Sequence, residues 1–255
     1  GNDFVIIDNR EKIINLTKEQ IVKICDRNFI GCDQLIFIEP DSSADANLRF
    51  FNSDGGESGA CGNGTRCVAN LISNEKNNKS IILNTLSGKL KSEILEKKIV
   101  TTEIGKAKLK WDEIPLSKEM DTKNLNIKII DTNNNEHLGG TAINVGNPHI
   151  VFFVKKIEDF NIEKIGPEIE NHEIFPEKCN VTIAQIINKN LIKVKVWERG
   201  AGLTKACGTA ACATAYAGKL NNLTENKTDI EFATGKLSIS IDENDSIHMK
   251  GPVSN

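Results

Sequence analysis

The sequence predicts an α+β fold of two pseudo-symmetric halves, each a curved, mostly antiparallel sheet wrapped around a central helix. Short segments rich in Val, Ile, Phe and Thr, separated by Gly or Asn clusters, recur along the 255 residues. In addition, an alternating strand, a glycine-rich loop, Ala-Cys-Gly and a helical segment occur twice. Cys61 and Cys207 occupy equivalent positions in these copies, 146 residues apart. Two copies indicate two similar halves, because a solenoid needs at least three repeats.

The strands are predicted from their β-branched and aromatic residues. In chain order they are residues 4–8, 34–39, 47–52, 80–85, 98–104, 143–154, 181–187, 191–198, 230–233 and 237–241. Asn188, Lys189 and Asn190 separate two of these segments, and this loop predicts a hairpin.

Four helices are predicted, over residues 17–26, 62–73, 162–169 and 208–220. Thr17 followed by Gln20 is a capping-box pattern, and the last segment is rich in Ala, the best helix former. Pro167 interrupts the third segment, because proline lacks the N–H that a helix interior requires.

The domain prediction follows from the repeat and from an Asn-rich stretch, residues 131–136, which indicates a loop or linker. We expect an N-terminal half, residues 1–115, with Cys61, and a C-terminal half, residues 116–255, with Cys207. The terminal strand could return to the first half. We expect the active site in the cleft between the halves, a usual place for a ligand pocket.

The composition excludes several classes of function. A net charge of -3 argues against a nucleic-acid partner, and no apolar run is long enough to cross a bilayer. The first ten residues show no basic segment followed by an apolar stretch, so we expect no signal peptide there. Seven cysteines, an odd number, do not suit a secreted disulfide framework, and we expect a cytoplasmic protein with free thiols.

Cys61 and Cys207 each lie where a loop becomes a helix. Unpaired backbone N–H groups and the helix dipole stabilise an anion there, which lowers the pKa of a thiol toward neutrality. A cysteine with such a pKa can act as an acid or a base. Gly62 and Gly208 follow the cysteines and let a ligand approach the backbone closely.

Together the two copies predict inversion at an α-carbon. One cysteine, as thiolate, would remove the α-proton, and the other, as thiol, would protonate the opposite face. The helix N-termini would hold the α-carboxylate and stabilise its developing charge. This chemistry needs neither a metal nor an organic cofactor, and no Cys/His spacing in the chain matches a zinc site.

A structural interpretation competes with this one, because a single Cys-Gly before a helix is weak evidence and most cysteines are packing groups. Two instances in matched contexts make the chemical interpretation the stronger one, although a duplicated structural turn stays open. Cys67 and Cys212 fall on the apolar stripes of their helices, where we expect core residues. The three cysteines without such a context are interpreted as structural, and they are Cys25, Cys32 and Cys179.

The sequence resembles the diaminopimelate epimerases along almost its whole length. The matching stretches are Gly1-Asn2-Asp3-Phe4-Val5, Asp33-Gln34-Leu35, Phe51-Asn52 through Ala60-Cys61-Gly62-Asn63-Gly64-Thr65-Arg66-Cys67, Gly146-Asn147-Pro148-His149, Asn180, Glu198-Arg199-Gly200-Ala201-Gly202 and Ala206-Cys207-Gly208-Thr209. Each piece alone is weak, whereas the combination in this order is highly specific.

The resemblance implies a role for each matched residue. Cys61 and Cys207 would be the acid–base pair, and the backbone of Gly62-Asn63 and Gly208-Thr209 would hold the reacting carboxylate. The residues implied to line the cavity at the reacting centre are Asn2, Gln34 and His149. Those implied to bind the distal amino-acid end are Asn52, Asn147, Asn180, Glu198 and Arg199. Without the resemblance, all of these polar residues are equally typical of turns, strand ends or solvated surface.

The resemblance also implies a cofactor-free epimerase that interconverts LL-diaminopimelate and meso-diaminopimelate in the biosynthesis of lysine and peptidoglycan precursors. We expect a homodimer that binds a small amino-acid substrate and has no membrane or nucleic-acid partner. Leu203 departs from the pattern, since many members have an acidic residue there in the second glycine loop. Both ends are shorter than usual, and the chain starts at Gly1, so we expect a native start further upstream.

Three alternatives stay open. Proline and hydroxyproline racemases also use two cysteines, but Gly-His typically follows their first cysteine, whereas Gly62-Asn63 follows Cys61 here. Isomerases of phenazine synthesis lack the cysteine pair. A thiol redox switch or binding module would use the same two cysteines to form a disulfide, and turnover under reducing conditions would distinguish it from an enzyme.

Overall fold

A computed structural model describes residues 2–59, 61–96 and 98–254 of the chain. Gly1 and Ala60, which belong to the matched motifs, lie outside the described residues. The chain folds into two compact units. Unit 1 comprises Gly1–Ile104 and Lys250–Asn255, and unit 2 comprises Gly105–Met249.

Unit 1 is built from a sheet and two helices. Its strands are β1 (Phe4–Asp8), β2 (Gln34–Glu39), β3 (Ala46–Asn52), β4 (Glu57–Ser58), β5 (Ser80–Thr85), β6 (Gly88–Glu96) and β7 (Ile99–Lys106), the last two residues of which belong to unit 2. The helices are α1 (Lys18–Cys25) and α2 (Gly62–Lys76). The strand order is β1-β2-β3-β5-β6-β7, with β4 paired to β3. The β1–β2 and β3–β5 pairs are parallel, and β2–β3, β3–β4, β5–β6 and β6–β7 are antiparallel.

Helix α2 packs on the core of this sheet through its apolar face. Val68, Ala69 and Ile72 are fully buried there, together with Phe50 from β3. The helix approaches closely because residue 64 is a glycine: a Cβ at Gly64 would lie 2.7 Å from Ile36 Cδ1. This packing fixes the N-terminus of α2 against β2 and β3.

Unit 2 repeats the design with additional elements. Its strands are β8 (Ile127–Ile130), β9 (Glu136–Gly139), β10 (Thr141–Asn144), β11 (Pro148–Val154), β12 (Asn180–Asn188), β13 (Leu191–Glu198), β14 (Gly202–Thr204), β15 (Lys227–Phe232), β16 (Gly235–Ile241) and β17 (Ser246–Pro252), the last three residues of which belong to unit 1. Its helices are a 3-10 turn (Ile157–Asp159), α3 (Ile162–Glu170) and α4 (Gly208–Leu220). The order is β10-β11-β12-β13-β15-β16, with β14 on β13 and β8–β9 as a separate hairpin.

Helix α4 is the central helix of unit 2. It contacts β10, β11, β12, β15 and β16. Its sequence is apolar or small on all faces, and its residues from Ala210 to Gly218 are buried. A helix without a polar face is stable only inside a core, which explains why the sheet surrounds it.

The same order of elements occurs in both units. β1-α1-β2-β3-β4-α2-β5-β6 corresponds to β11-α3-β12-β13-β14-α4-β15-β16. The pairing also corresponds, since β11–β12 and β13–β15 are parallel and β12–β13, β13–β14 and β15–β16 are antiparallel. The prediction of an α+β fold with two similar halves is therefore confirmed.

Several local predictions are also confirmed. Thr17 and Gln20 form the capping box of α1, and α4 covers the predicted residues 208–220. The predicted hairpin joins β12 to β13, where Asn188 pairs with Leu191. Helix α3 continues through Pro167 to Glu170.

Other local predictions are wrong. The single strand over residues 143–154 is two antiparallel strands, β10 and β11, because Gly146 adopts φ +110° in a tight turn between them. β4, β6, β8, β9, β14 and β17 were not predicted, since their sequences are short or rich in polar residues. The stretch 131–136 is the turn between β8 and β9, and Glu136 belongs to β9.

Candidate active site

Cys61 is the N-cap of α2. Its backbone is extended, with φ -141°, and the backbone N–H of Gly64 donates to Sγ at 3.4 Å. Thr65 Oγ1 donates to the Cys61 carbonyl at 2.8 Å, which anchors the first turn. The thiol is half-buried against the core of unit 1. A sulfur in this position receives the N–H dipole that stabilises a thiolate.

A chain of directional hydrogen bonds runs past the start of α2. The guanidinium of Arg66, itself 4% exposed, donates to Asn63 Oδ1 at 3.0 Å. Asn63 Nδ2 then donates to Asn2 Oδ1, and Asn2 Nδ2 donates to Asp33 Oδ2 at 3.1 Å. Arginine only donates and a carboxylate only accepts, so the two ends fix the orientation of both amide groups between them.

Gln34 and Asn52 face each other across the β2–β3 pair. Gln34 begins β2, Asn52 ends β3, and Gln34 Nε2 donates to Asn52 Oδ1 at 2.8 Å. Gly55 N–H donates to the Asn52 carbonyl in the turn that follows, with Gly55 at φ +77°. The pair therefore lies at the strand ends from which the first glycine loop begins.

Cys207 is the N-cap of α4 and lies in a more enclosed place, with 6% of its surface exposed. Its Sγ lies 3.4 Å from Thr209 Oγ1. Burial raises the pKa of the Cys207 thiol well above its ordinary value, and the negative charge of Glu198 raises this pKa further. Hydrogen bonds from Thr209 and the Ala210 backbone act in the opposite direction. The lowered pKa expected for a cysteine at a helix start is therefore wrong for Cys207, because burial and the charge of Glu198 outweigh the helix N-terminus and favour the protonated thiol.

His149 and Asn147 form a second pair, at the start of β11. His149 is fully buried, and its Nε2 donates to Asn147 Oδ1 at 2.8 Å. Burial, and next the positive charge of Arg199, lower the pKa of His149 to about 3. The imidazole is therefore neutral near pH 7. Among the described residues no group hydrogen-bonds its Nδ1.

Asn180 ties the start of β12 to the loop after β13. It is 2% exposed, its Nδ2 donates to the Pro148 carbonyl at 2.9 Å, and its Oδ1 accepts the Arg199 backbone N–H at 3.0 Å. The Arg199 guanidinium donates to the Glu177 carbonyl at 2.9 Å. Asn180 thus fixes the backbone of Arg199 directly after Glu198, the last residue of β13.

The candidate residues occupy equivalent positions in the two units. In each unit, one candidate residue precedes the first strand of the repeated motif (β1 or β11) and one begins the second strand (β2 or β12). Another ends the third strand (β3 or β13), and a fourth is the second residue of the central helix (α2 or α4). In that order the pairs are Asn2 and Asn147, Gln34 and Asn180, Asn52 and Glu198, and Asn63 and Thr209. The structure therefore gathers the predicted residues into two sets of the same design, one within each unit, around Cys61-Gly62 and around Cys207-Gly208.

Leu203, the departure from the family pattern, is 50% exposed and pairs with Trp197 across the β13–β14 hairpin. The equivalent position in unit 1 is Glu57, which forms an ion pair with Arg49 at 2.7 Å. Unit 2 has Lys195 in the place of Arg49, and its Nζ donates to the Ile157 carbonyl instead. The hairpin of unit 2 is therefore held without that ion pair.

Sequence reasoning missed two residues that support the site. Arg66 stands in the first turns of a helix, where an acidic residue is the usual preference, and this reversal was the available signal. Glu170 is a buried carboxylate at the end of α3 that accepts from Trp197 Nε1 and from Gly200 N–H. Its only signal was its position on the inner side of an amphipathic helix.

The five remaining cysteines lie in or against the packed cores of the two units. Cys25 and Cys32 are buried with their Sγ atoms 3.5 Å apart, and Cys179 and Cys212 are buried in unit 2. Over residues 2–59, 61–96 and 98–254, no three His, Cys, Asp or Glu side chains converge as ligands for a metal ion. No helix in the same ranges is long and apolar enough to cross a membrane.

The diaminopimelate epimerase family model matches residues 1–110 and 141–255. The diaminopimelate epimerase of Pelagibacter ubique (strain HTCC1062) is 68% identical over 254 residues, which cover 100% of this chain and 93% of that protein. The diaminopimelate epimerase of Sphingopyxis alaskensis is 43% identical over 252 residues, which cover 98% of this chain and 90% of that protein.

Solved structures agree on the fold at much lower identity. A phenazine biosynthesis protein of the PhzF family from Bacillus anthracis has a TM-score of 0.66 at 15% identity, covering 99% of this chain and 90% of its own. A hydroxyproline epimerase from Agrobacterium vitis has a TM-score of 0.66 at 13% identity, covering 92% of this chain and 76% of its own. With the family model matched on both sides of residues 111–140 and a relative at 68% identity, this chain belongs to the diaminopimelate epimerase family.

Proposed function

We propose that this chain is an isomerase that interconverts LL-diaminopimelate and meso-diaminopimelate. The single observation that supports this most is the placement of Cys61 and Cys207 as N-caps of equivalent helices, in a member of this family. The reaction would serve the biosynthesis of lysine and of peptidoglycan precursors. No net oxidation occurs, because one proton leaves the α-carbon and another returns to its opposite face.

In the proposed mechanism, Cys61 and Cys207 act on one α-carbon from opposite faces. The buried Cys207 thiol, which Glu198 helps to keep protonated, is suited to deliver a proton. Cys61, with the Gly64 N–H directed at its sulfur, is suited to remove one as a thiolate. After one turnover Cys61 is therefore the thiol and Cys207 the thiolate, and the two residues exchange roles in the reverse direction.

The carboxylate at the reacting centre is proposed to bind the helix starts. The first N–H groups of α2 and α4, at Gly62-Asn63 and Gly208-Thr209, have no partner within their helices. These donors and the helix dipoles favour a negative charge that grows on the carboxylate as the α-proton leaves. Asn2, Gln34 and the neutral His149 are proposed to line the cavity beside this centre.

The distal amino-acid end of the substrate is proposed to bind Glu198 and Arg199. A carboxylate pairs with the ammonium group, and a guanidinium pairs with the carboxylate through two parallel hydrogen bonds. Asn52, Asn147 and Asn180 are proposed to complete this subsite. A substrate with one amino-acid head, such as proline, would leave the Glu198-Arg199 pair unused, and this distinguishes the proposal from a proline racemase.

We infer that the halves 1–115 and 116–255 each contribute one cysteine, and that the reaction proceeds without pyridoxal phosphate. The seven cysteines are free, which is typical of a reducing compartment, and this supports a cytoplasmic location. A homodimer is proposed as the assembly.

Proton exchange in D2O tests the function directly. The chain is incubated with reductant, without added cofactor, and with either LL-diaminopimelate or L-proline, while NMR follows the α-proton signal. We expect deuterium entry and conversion to the meso isomer with diaminopimelate alone. Exchange with proline alone would overturn the substrate, and exchange with neither in a folded, reduced sample would favour a redox or binding role.

A further inference from the structure

A buried carboxylate anchors the loop that follows β13 through hydrogen bonds. Glu170, the last residue of α3, is 6% exposed. Its Oε1 accepts the Gly200 backbone N–H at 3.0 Å, and its Oε2 accepts Trp197 Nε1–H at 2.7 Å. A carboxylate has only acceptors, and here both of its oxygens meet a donor.

The three residues bracket the Glu198-Arg199 pair. Trp197 precedes the pair and Gly200 follows it, so Glu170 holds the chain on both sides. Gly200 adopts φ +75°, a conformation that reverses the chain directly after Arg199. Asn180 adds a third tie through the Arg199 backbone N–H.

Helix α3 can approach β13 closely because Gly166, which has no side chain, lies against the indole ring of Trp197. A Cβ at Gly166 would lie 2.3 Å from Trp197 Cγ, so any larger residue would push the helix away. The indole ring packs against the buried core of unit 2. The contact between α3 and β13 thereby sets the distance from Glu170 to the loop.

Unit 1 has a different arrangement at the equivalent place. The position of Trp197 is occupied there by Phe51, whose ring has no N–H and packs edge-on against Phe37. The following residue is the neutral Asn52 instead of Glu198. The buried Glu170 carboxylate therefore lies beside the loop of unit 2, which is the loop that carries the charged pair Glu198-Arg199.

We propose that Glu170 is a positioning residue that preorganises Glu198 and Arg199 for the distal end of the substrate. This inference rests on the proposed function and assigns the geometry of its distal subsite to a residue outside the site. Burying a carboxylate is unfavourable unless its oxygens are hydrogen-bonded, and both bonds here go to the loop and its flanking indole.

The test compares Glu170→Gln with Glu168→Gln, a matched control on the exposed side of the same helix. Glutamine has one acceptor oxygen, so its NH2 group must face either the indole N–H or the Gly200 N–H. We expect KM for LL-diaminopimelate to rise about tenfold in Glu170→Gln, with kcat within about twofold, because a hydrogen bond to a charged group contributes on this scale. Glu168→Gln should keep the wild-type values.

A rescue variant separates positioning from general destabilisation. In Trp197→Phe the indole N–H is absent. The side-chain oxygen of the glutamine in Glu170→Gln can then accept from the Gly200 N–H, and its NH2 group no longer faces a second donor. The rise in KM caused by Glu170→Gln should therefore fall below about threefold in the Trp197→Phe background, since coupled residues are not additive. A purely structural role would lower kcat and the melting temperature in both backgrounds alike.

A second readout does not need the substrate. NMR-detected hydrogen exchange should show faster exchange of either the Gly200 amide or the Trp197 indole N–H in Glu170→Gln, and wild-type rates of both in Glu168→Gln. Unchanged exchange of both the Gly200 amide and the Trp197 indole N–H, or an unchanged KM in an active Glu170→Gln variant, would overturn the inference alone. A folded wild type that turns over no diaminopimelate would overturn the proposed function, and the inferred subsite role with it.

Discussion

Arg66 and Asn63 are joined by a hydrogen bond of 3.0 Å from the guanidinium to Asn63 Oδ1, near the start of α2. This bond leaves Asn63 Nδ2 to donate to Asn2. Both asparagines belong to the proposed reacting centre, where an amide that presents the wrong end would repel a carboxylate. A positive charge at this end of the helix opposes the helix dipole, so the arrangement favours an anion at the helix start.

Arg66→Met should therefore weaken substrate binding. Methionine has a similar length but no donor, so the Asn63 amide loses the contact that sets its orientation. We expect KM for diaminopimelate to rise by about tenfold, the scale of one hydrogen bond to a charged group. Lys76→Met, in the last turn of the same helix and exposed, is the matched control and should behave as wild type. Steady-state kinetics that show equal KM for both variants would contradict this role of Arg66.

The two cysteines should be individually essential. Cys61→Ser or Cys207→Ser should lower the rate of epimerisation by about 10³-fold, the typical contribution of a positioned acid or base, because a serine hydroxyl does not ionise near neutral pH. Cys67→Ala, inside α2 rather than at its N-cap, should keep activity within about threefold. The assay is meso product formation, and near wild-type turnover in either serine variant would remove that cysteine from the mechanism.

The repeat around Cys61 and Cys207 was sufficient to predict the fold class and the helix starts, because strand alternation, glycine loops and N-cap positions are local signals. The strands β6 and β9 were not predicted, since a largely exposed strand with polar residues lacks the apolar pattern, and β8 was not predicted because it has only four residues. The supporting roles of Arg66 and Glu170 were not predicted, for another reason. Their roles depend on partners distant in sequence, such as Asn2 and Gly200, and tertiary pairing of single polar groups leaves no periodicity in the sequence.

His149 should make the stability of the chain depend on pH. Its pKa is about 3 when folded, because of burial and then the charge of Arg199, against 6.5 as the ordinary value. The unfolded chain therefore binds the proton first, and the contribution of His149 is present above pH 6.5 and is lost as the pH falls toward 3. Between pH 7 and pH 5 we expect the free energy of unfolding to fall by about 2 kcal/mol from this group.

Urea unfolding at the two pH values, followed by tryptophan fluorescence, measures this effect. His149→Gln does not titrate, so its free energy of unfolding should change less between the two pH values than that of wild type. The exposed His137 provides the control, and His137→Gln should keep the wild-type fall. If wild type and His149→Gln lost stability equally, the histidine would not be buried in its neutral form.

Glu198 should control the acidity of Cys207. Burial is the larger cause of the raised pKa of this thiol, and the charge of Glu198 is the next. Glu198→Gln removes the charge but keeps the size, so the pKa of Cys207 should fall while staying above its ordinary value, since burial persists. At a fixed pH near 8, a larger thiolate fraction should then speed alkylation of Cys207 by iodoacetamide, which mass spectrometry of the Cys207 peptide measures. Glu168→Gln, an exposed carboxylate of the same unit, should leave the rate unchanged. A slower or equal rate in Glu198→Gln would mean that the carboxylate does not act on the thiol.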